Sequence, residues 1–118
     1  MVRRKQRYIL FKIRFLDEEK PPMLDKDKLL RLLAPPFREM FGEYGAGCVI
    51  PTLSLVLWMP EKNVGVFRIV RDWVDNYKLM LDEIQTIESR NVEIVVPHVS
   101  GTIDQAQKWI DENPTKLD

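Results

Sequence analysis

Six bases crowd the first sixteen residues, Arg3, Arg4, Lys5, Arg7, Lys12 and Arg14, with no acid among them. Guanidinium and ammonium groups at that density exchange the condensed counterions of a polyanion for direct ion pairs, which is the chemistry of contact with a phosphate backbone. The chain has 18 basic and 18 acidic side chains in all, so its zero net charge is a segregated sum of +6 up to Leu16 and −6 beyond it. A solvated basic tail is the other meaning of the same charges. Farther along, Arg68 and Arg71 flank the end of a β-rich run, where a guanidinium fork can hold phosphate bidentately or pair with Asp72, Asp75 or a sheet neighbour. Ser100-Gly101-Thr102-Ile103 joins a glycine to two hydroxyls, which suits a turn and an N-cap and leaves helix-start N–H groups able to receive phosphate. The candidate polyanion contacts are therefore Arg3, Arg4, Lys5, Arg7, Arg68, Arg71, Ser100, Gly101 and Thr102.

No catalytic residue and no metal ligand set is expected. Cys48 and His98 are single in their type, so an internal disulfide and a Cys/His zinc site are both excluded. Cys48 is read as a small core hydrophobe. Glu39, Glu43 and Asp72 lack an evident partner set for general acid-base work, and charged helix faces account for them. The acidic stretch Asp17-Glu18-Glu19-Lys20-Pro21-Pro22 repels anions, which argues against a phosphate-cradling hydrolase loop of the acylphosphatase kind. At 118 residues and 45% hydrophobic the chain is expected to fold as one domain over 1–118, with a basic arm at 1–6 and a flexible tail at 113–118. Its longest apolar run, Leu53 to Met59, is interrupted by Ser54 and falls far short of the roughly 20 residues that cross a bilayer. A soluble, intracellular protein with no membrane partner is expected.

Periodicity supplies the elements that must hold these side chains. Ile9, Phe11, Ile13 and Phe15 alternate with Tyr8, Leu10, Lys12 and Arg14, the mark of a half-buried strand. Asp25 reads as the N-cap of a helix bearing Leu29, Leu30, Leu32 and Leu33. Pro35-Pro36 is expected to interrupt it, with Phe37 to Phe41 a second short piece and Gly42 to Gly47 a turn. Thr52 to Met59 and Val64 to Val70 form a hairpin about Pro60-Glu61-Lys62-Asn63. Trp73, Tyr77, Met80, Ile84 and Ile87 make an amphipathic stripe after Asp72. Val92 to Val96 gives a fourth strand, and Ile103, Ala106, Trp109 and Ile110 a short last helix. The order β-α-β-β-α-β-α predicts an α+β, ferredoxin-like fold with a four-stranded antiparallel sheet, two main helices on one face and the other face open.

RNA-recognition motifs use such an open face by stacking bases on aromatics of the first and third strands. Here Lys62-Asn63-Val64-Gly65-Val66-Phe67-Arg68-Ile69 lacks most of those aromatics. The face would instead offer Tyr8, Leu10, Val56, Trp58 and Val66, an apolar set that suits a protein partner. A protein-interaction or regulatory ligand-binding module without RNA is the alternative function on this pattern.

Four motifs in order carry a resemblance: the opening Met-Val-Arg-x-Lys-x-Arg-Tyr-Ile-Leu-Phe, Gly42-x-Tyr44-Gly45, Gly65-x-x-Arg68-x-x-Arg71 and Ser100-Gly101-Thr102-Ile103. To about Trp109 the chain resembles the Pop-five family, the small subunit shared by ribonuclease P and ribonuclease MRP. The resemblance implies a variant of the RNA-recognition motif and an accessory, non-catalytic protein of a ribonucleoprotein whose RNA removes the 5′ leader of precursor tRNA with magnesium. It implies as partners the ribonuclease P RNA, with the MRP RNA as a further candidate, a TIM-barrel protein subunit, other holoenzyme proteins and, indirectly, precursor tRNA. No cofactor is expected on this chain, the magnesium belonging to the RNA. The polyanion contacts above become RNA contacts. Relatives carry lysines after the Ser-Gly-Thr-Ile turn where Asp104, Gln105 and Gln107 stand here, which puts RNA contact by the last helix in doubt. The expected location is the nucleus and nucleolus, or the cytoplasm if the source is archaeal.

Overall fold

A computed structural model describes residues 5–113; Arg3, Arg4 and the expected tail beyond Asn113 lie outside the described residues. In chain order the elements are β1 (Gln6–Phe15), α1 (Lys26–Val49), β2 (Ser54–Met59), β3 (Val64–Val70), a 3₁₀ turn (Arg71–Trp73), α2 (Val74–Glu83), β4 (Thr86–Ile87), β5 (Arg90–Ser100) and α3 (Ile103–Glu112). The sheet is antiparallel, in the order β2-β3-β1-β5-β4. The expected fourth strand is β5, which runs on to Ser100, and the two-residue β4 adds a fifth strand that periodicity missed. Ile87, assigned to the stripe of α2, belongs to that small hairpin instead, because α2 ends at Glu83 and Ile84 is already extended.

Local chemistry explains the ends of the helices. Asp25 caps α1 by accepting from the Lys28 amide at 2.7 Å. Contrary to expectation, α1 does not end at Pro35-Pro36. Each proline removes one backbone donor at a cost of about 3 kcal/mol, and Leu29, Leu33 and Phe37, buried on either side of the pair, hold the helix through it. The break falls at Gly42, whose φ of 73° is open to glycine at little cost. Residues Glu43–Val49 then resume as helix rather than turn.

The main core lies between the sheet and the pair α1 and α2. Ile9, Phe11 and Ile13 of β1 meet Leu29, Leu33 and Phe37 of α1 and Tyr77, Met80 and Leu81 of α2 there. Within it rings touch in an unbroken series from Trp58 through Phe11, Phe67, Tyr77 and Phe37 to Phe41 and Trp73, and thence to Tyr44. Gly65 makes the first link possible. It lies opposite both Phe11 and Trp58 in the register, and a Cβ there would stand 2.8 Å from the Trp58 ring and 2.9 Å from that of Phe11. The two rings stack over the bare glycine at 5.9 Å and 11°.

The second face is not open. A smaller cluster, Leu10, Val64 and Val66 with Ala106 and Ile110, seats α3 across it, with Tyr8, Val56, Leu57, Met59 and Trp109 at its margin. Trp109 also stacks on His98 of β5 at 5.4 Å and 11°. The four helical positions expected for α3 hold, but its docking site was not foreseen.

Candidate nucleic-acid interface

Register gathers the candidate residues at one end of the sheet. Ser54 of β2 pairs with Arg68 of β3, Arg68 with Tyr8 of β1, and Tyr8 with Ser100 of β5, a single row across four strands. Paired residues of antiparallel strands share a face, and Tyr8 belongs to the α3 side. Arg68 Nη2 donates to Ser54 Oγ at 3.2 Å. Arg68 Nε and Ser100 Oγ are buried with no hydrogen-bond partner, and Ser100 is only 4% exposed. Arg68 forms no ion pair with a described carboxylate. A cation half open to solvent and left without a counter-ion is suited to an incoming phosphate.

Arg71 stands at the adjoining corner. Its amide donates to the Lys5 carbonyl at 2.8 Å, which ties the basic arm to the end of β3. Its guanidinium lies 3.8 Å from Asp72, and both side chains are exposed. Such a pair is worth little in water and is readily exchanged for phosphate. Lys5 is exposed, and Arg7 is half-buried with Nη1 donating to the Gln6 carbonyl at 2.9 Å. Thr102 Oγ1 accepts from the Gln105 amide at 3.1 Å, and the Gly101 amide donates to Gln105 Oε1 at 3.2 Å. This reciprocal cap satisfies the start of α3, so the Thr102 hydroxyl and the Gly101 N–H are engaged within the chain, and Asp104 adds an acid beside them.

The protein-partner face expected on the sheet is corrected. Leu10 and Val66 are fully buried beneath α3, leaving Tyr8 and Val56 half-exposed at its margin. Trp58 is on the opposite side, against Phe11, with Nε1 donating to the Leu24 carbonyl at 2.7 Å. A β-bulge causes this reversal: Leu55 pairs with Phe67 but Leu57 with Val66, so Val56 is an extra residue and strict alternation fails after it. Ser54, the hydroxyl that holds Arg68, was passed over in the sequence. Its signal was the one polar residue in an apolar run, opposite an arginine.

Among the described residues, no group of three His, Cys, Asp or Glu side chains converges. Burial pushes the Tyr77 phenol far above its ordinary value, so it stays neutral. A mostly apolar pocket of about 270 Å³ is lined by Tyr77 itself with Leu30, Leu33, Phe37 and Leu53, and Arg31 is its one charged lining residue. No described helix is long and apolar enough to cross a membrane.

Residues 7–111 match the Rpp14/Pop5 family. Ribonuclease P protein component 2 of Methanocaldococcus jannaschii is 33% identical over 106 residues, spanning 90% of this chain and 72% of that protein. The ribonuclease P/MRP protein subunit POP5 of Schizosaccharomyces pombe is 28% identical over 116 residues, spanning 91% and 84%. In fold, the chain is similar to one in a cryo-EM structure of yeast ribonuclease MRP, with a TM-score of 0.64 at 10% identity and coverage of 98% and 93%. With the family's pattern running through nearly every described element, from β1 to α3, the chain belongs to the Rpp14/Pop5 family.

Proposed function

We propose that this chain is a protein subunit of a ribonuclease P or ribonuclease MRP particle and contributes no catalytic group of its own. Family membership over residues 7–111 is the observation that carries this. The fold supports a ferredoxin-like, RNA-recognition-motif variant in which β4 is an added edge and α3 a cover. Its partners are the particle's RNA and its other proteins, a TIM-barrel subunit among them, and it meets precursor tRNA through the particle. In a eukaryotic cell it works in the nucleus, with the nucleolus the narrower expectation; an archaeal source would place it in the cytoplasm.

Hydrolysis of a phosphodiester requires an activated water and a stabilised leaving oxygen, commonly through paired metal ions. In this reading the magnesium is held by the particle's RNA, as the family resemblance implies, and not by this chain. The chain's own part is electrostatic. Arg68, fixed by Ser54, and Arg71, beside the basic arm, offset phosphate repulsion where RNA segments converge, which metal ions would otherwise screen. Thr102 and Gly101 serve this site by shaping the turn after Ser100 and beginning α3.

The test is reconstitution with the cognate RNA and protein partners. The purified chain alone should leave precursor tRNA intact, and its addition to the RNA should raise 5′ cleavage at low magnesium. Replacing Arg68 and Arg71 together by Ala should move the magnesium requirement upward. Cleavage by the protein with RNA rigorously removed would overturn the proposal, as would an unchanged magnesium requirement in its absence.

A further inference from the structure

Tyr44 is the most exposed of the large apolar and aromatic side chains among the described residues, at 80%. It is not a loose tip. Its ring lies 6.4 Å from that of Trp73, which is wedged edge-on against Phe37 at 6.1 Å and Phe41 at 6.2 Å. One side of the phenol therefore leans on a ring anchored in the main core, and the rest faces solvent. An aromatic held in this way loses little further rotamer freedom on contact, which favours stacking a planar partner.

The charges around it select that partner. Trp73 closes the 3₁₀ turn that begins at Arg71, and the Arg71 amide is bonded to the carbonyl of Lys5. Tyr44 is thus one ring away from the corner where the basic arm meets β3. Glu43, its neighbour in sequence, is paired with Arg38 at 3.2 Å, and Asp72 lies beside Arg71 at 3.8 Å; both pairs are exposed. An aromatic ring bordered by exchangeable cations can accept a base on its face while the cations take the neighbouring phosphates.

We propose that Tyr44, backed by Trp73, is a stacking platform for one unpaired nucleobase of RNA whose backbone runs toward Arg71 and the basic arm. This rests on the RNA-contacting function proposed above and adds a site on the opposite side of the chain from the strand row of Arg68. Stacking is indifferent to base identity, so the platform fixes position rather than sequence.

The experiment titrates the full chain with a 12-nucleotide oligoadenylate, following Trp fluorescence and the salt dependence of binding. Tyr44→Ala should weaken binding about 5- to 150-fold, the span that stacking of one base covers, with an unchanged salt slope and an unchanged melting temperature. Tyr44→Trp should keep the affinity and Tyr44→Leu should lose it, since area alone does not replace a π-face. The fourfold variant Arg3→Ala, Arg4→Ala, Lys5→Ala, Arg7→Ala should instead flatten the salt slope. Wild-type binding by Tyr44→Ala, with the arm variant impaired, would overturn the platform and leave RNA contact standing. No binding by the wild-type chain would sink both. Unchanged RNA affinity with lost association to a protein subunit would assign Tyr44 to a protein interface and overturn the platform.

Discussion

The two faces of the sheet are built differently. Against α1 and α2 the sheet presents Ile9, Phe11, Ile13, Phe67, Ile69 and Ile94 to a core bound together by stacked rings. Against α3 it presents little more than Leu10, Val64 and Val66, met by Ala106 and Ile110. The first face has the area to drive folding by removing apolar surface from water. The second can only hold a short helix in place. At the margin of that helix lies the polar row of Ser54, Arg68, Tyr8 and Ser100. The difference teaches that apolar burial is concentrated on the first face, while the second carries a polar row in which Arg68 Nε and Ser100 Oγ have no partner.

That division can be broken experimentally. The largest effect is expected at Trp58, whose replacement by Ala removes a ring stacked on Phe11 and the hydrogen bond to Leu24. The cost should be about 3 kcal/mol, seen as a melting temperature lower by more than about 10 °C. A nearly unchanged melting temperature would restore Trp58 to a partner surface. On the other face, Ile110→Ala should cost less, about 2 kcal/mol, measured by urea denaturation. If it costs as much as Trp58→Ala, the two clusters form one cooperative core and the comparison fails.

The smallest effect concerns the loop after β1. Arg90 holds Asp17 through Nε and Nη2, donates to the carbonyls of Glu19 and Lys20, and lies 4.8 Å over the Phe15 ring. The hydrogen bond from Arg90 is the main cause that lowers the Asp17 pKa below its ordinary value. A depressed carboxylate contributes stability above its unfolded pKa and loses it as pH falls through the folded value. Wild type and Asp17→Asn should therefore differ modestly at neutral pH and converge in acid below about pH 4. A gap that persists at pH 2 would show that the difference does not come from the Asp17 charge, and no gap at neutral pH would show that the loop is held by Arg90's carbonyl and ring contacts alone.

Much of this was legible in the sequence because local signals and tertiary demands agreed. The alternation of Ile9, Phe11 and Ile13, the Asp25 cap, the hairpin about Asn63 and the Ser100-Gly101-Thr102 turn all stand as read. What was missed depends on contacts distant in sequence. Pro35-Pro36 carries a strong local breaking signal, but buried neighbours override it and the break passes to Gly42. Val56 gives no sign of being an extra residue, since a bulge is defined only by the partner strand. The apolar character of Leu10 and Val66 was read correctly and their partner was not, because α3 is itself the cover. Of the candidate site, the arginines were visible from their spacing, whereas Ser54 beside Arg68 emerged only from the register.

The position of β1 has a consequence for how the protein is made. It precedes the other described strands in the chain and is the middle strand of the sheet, paired with β3 on one edge and β5 on the other. The Tyr8 to Ser100 pairing closes nearly the full length of the chain. Sequence-distant pairing of this kind slows folding, because loop closure must precede the contacts that reward it. During translation β1 therefore waits with both edges bare until β3 emerges, and with one edge bare until β5 does, a state open to wrong pairing. The bases along and before it then acquire a second use. Mutual repulsion among these cations keeps nascent copies of an apolar strand apart until the carboxyl-terminal half arrives to enclose it.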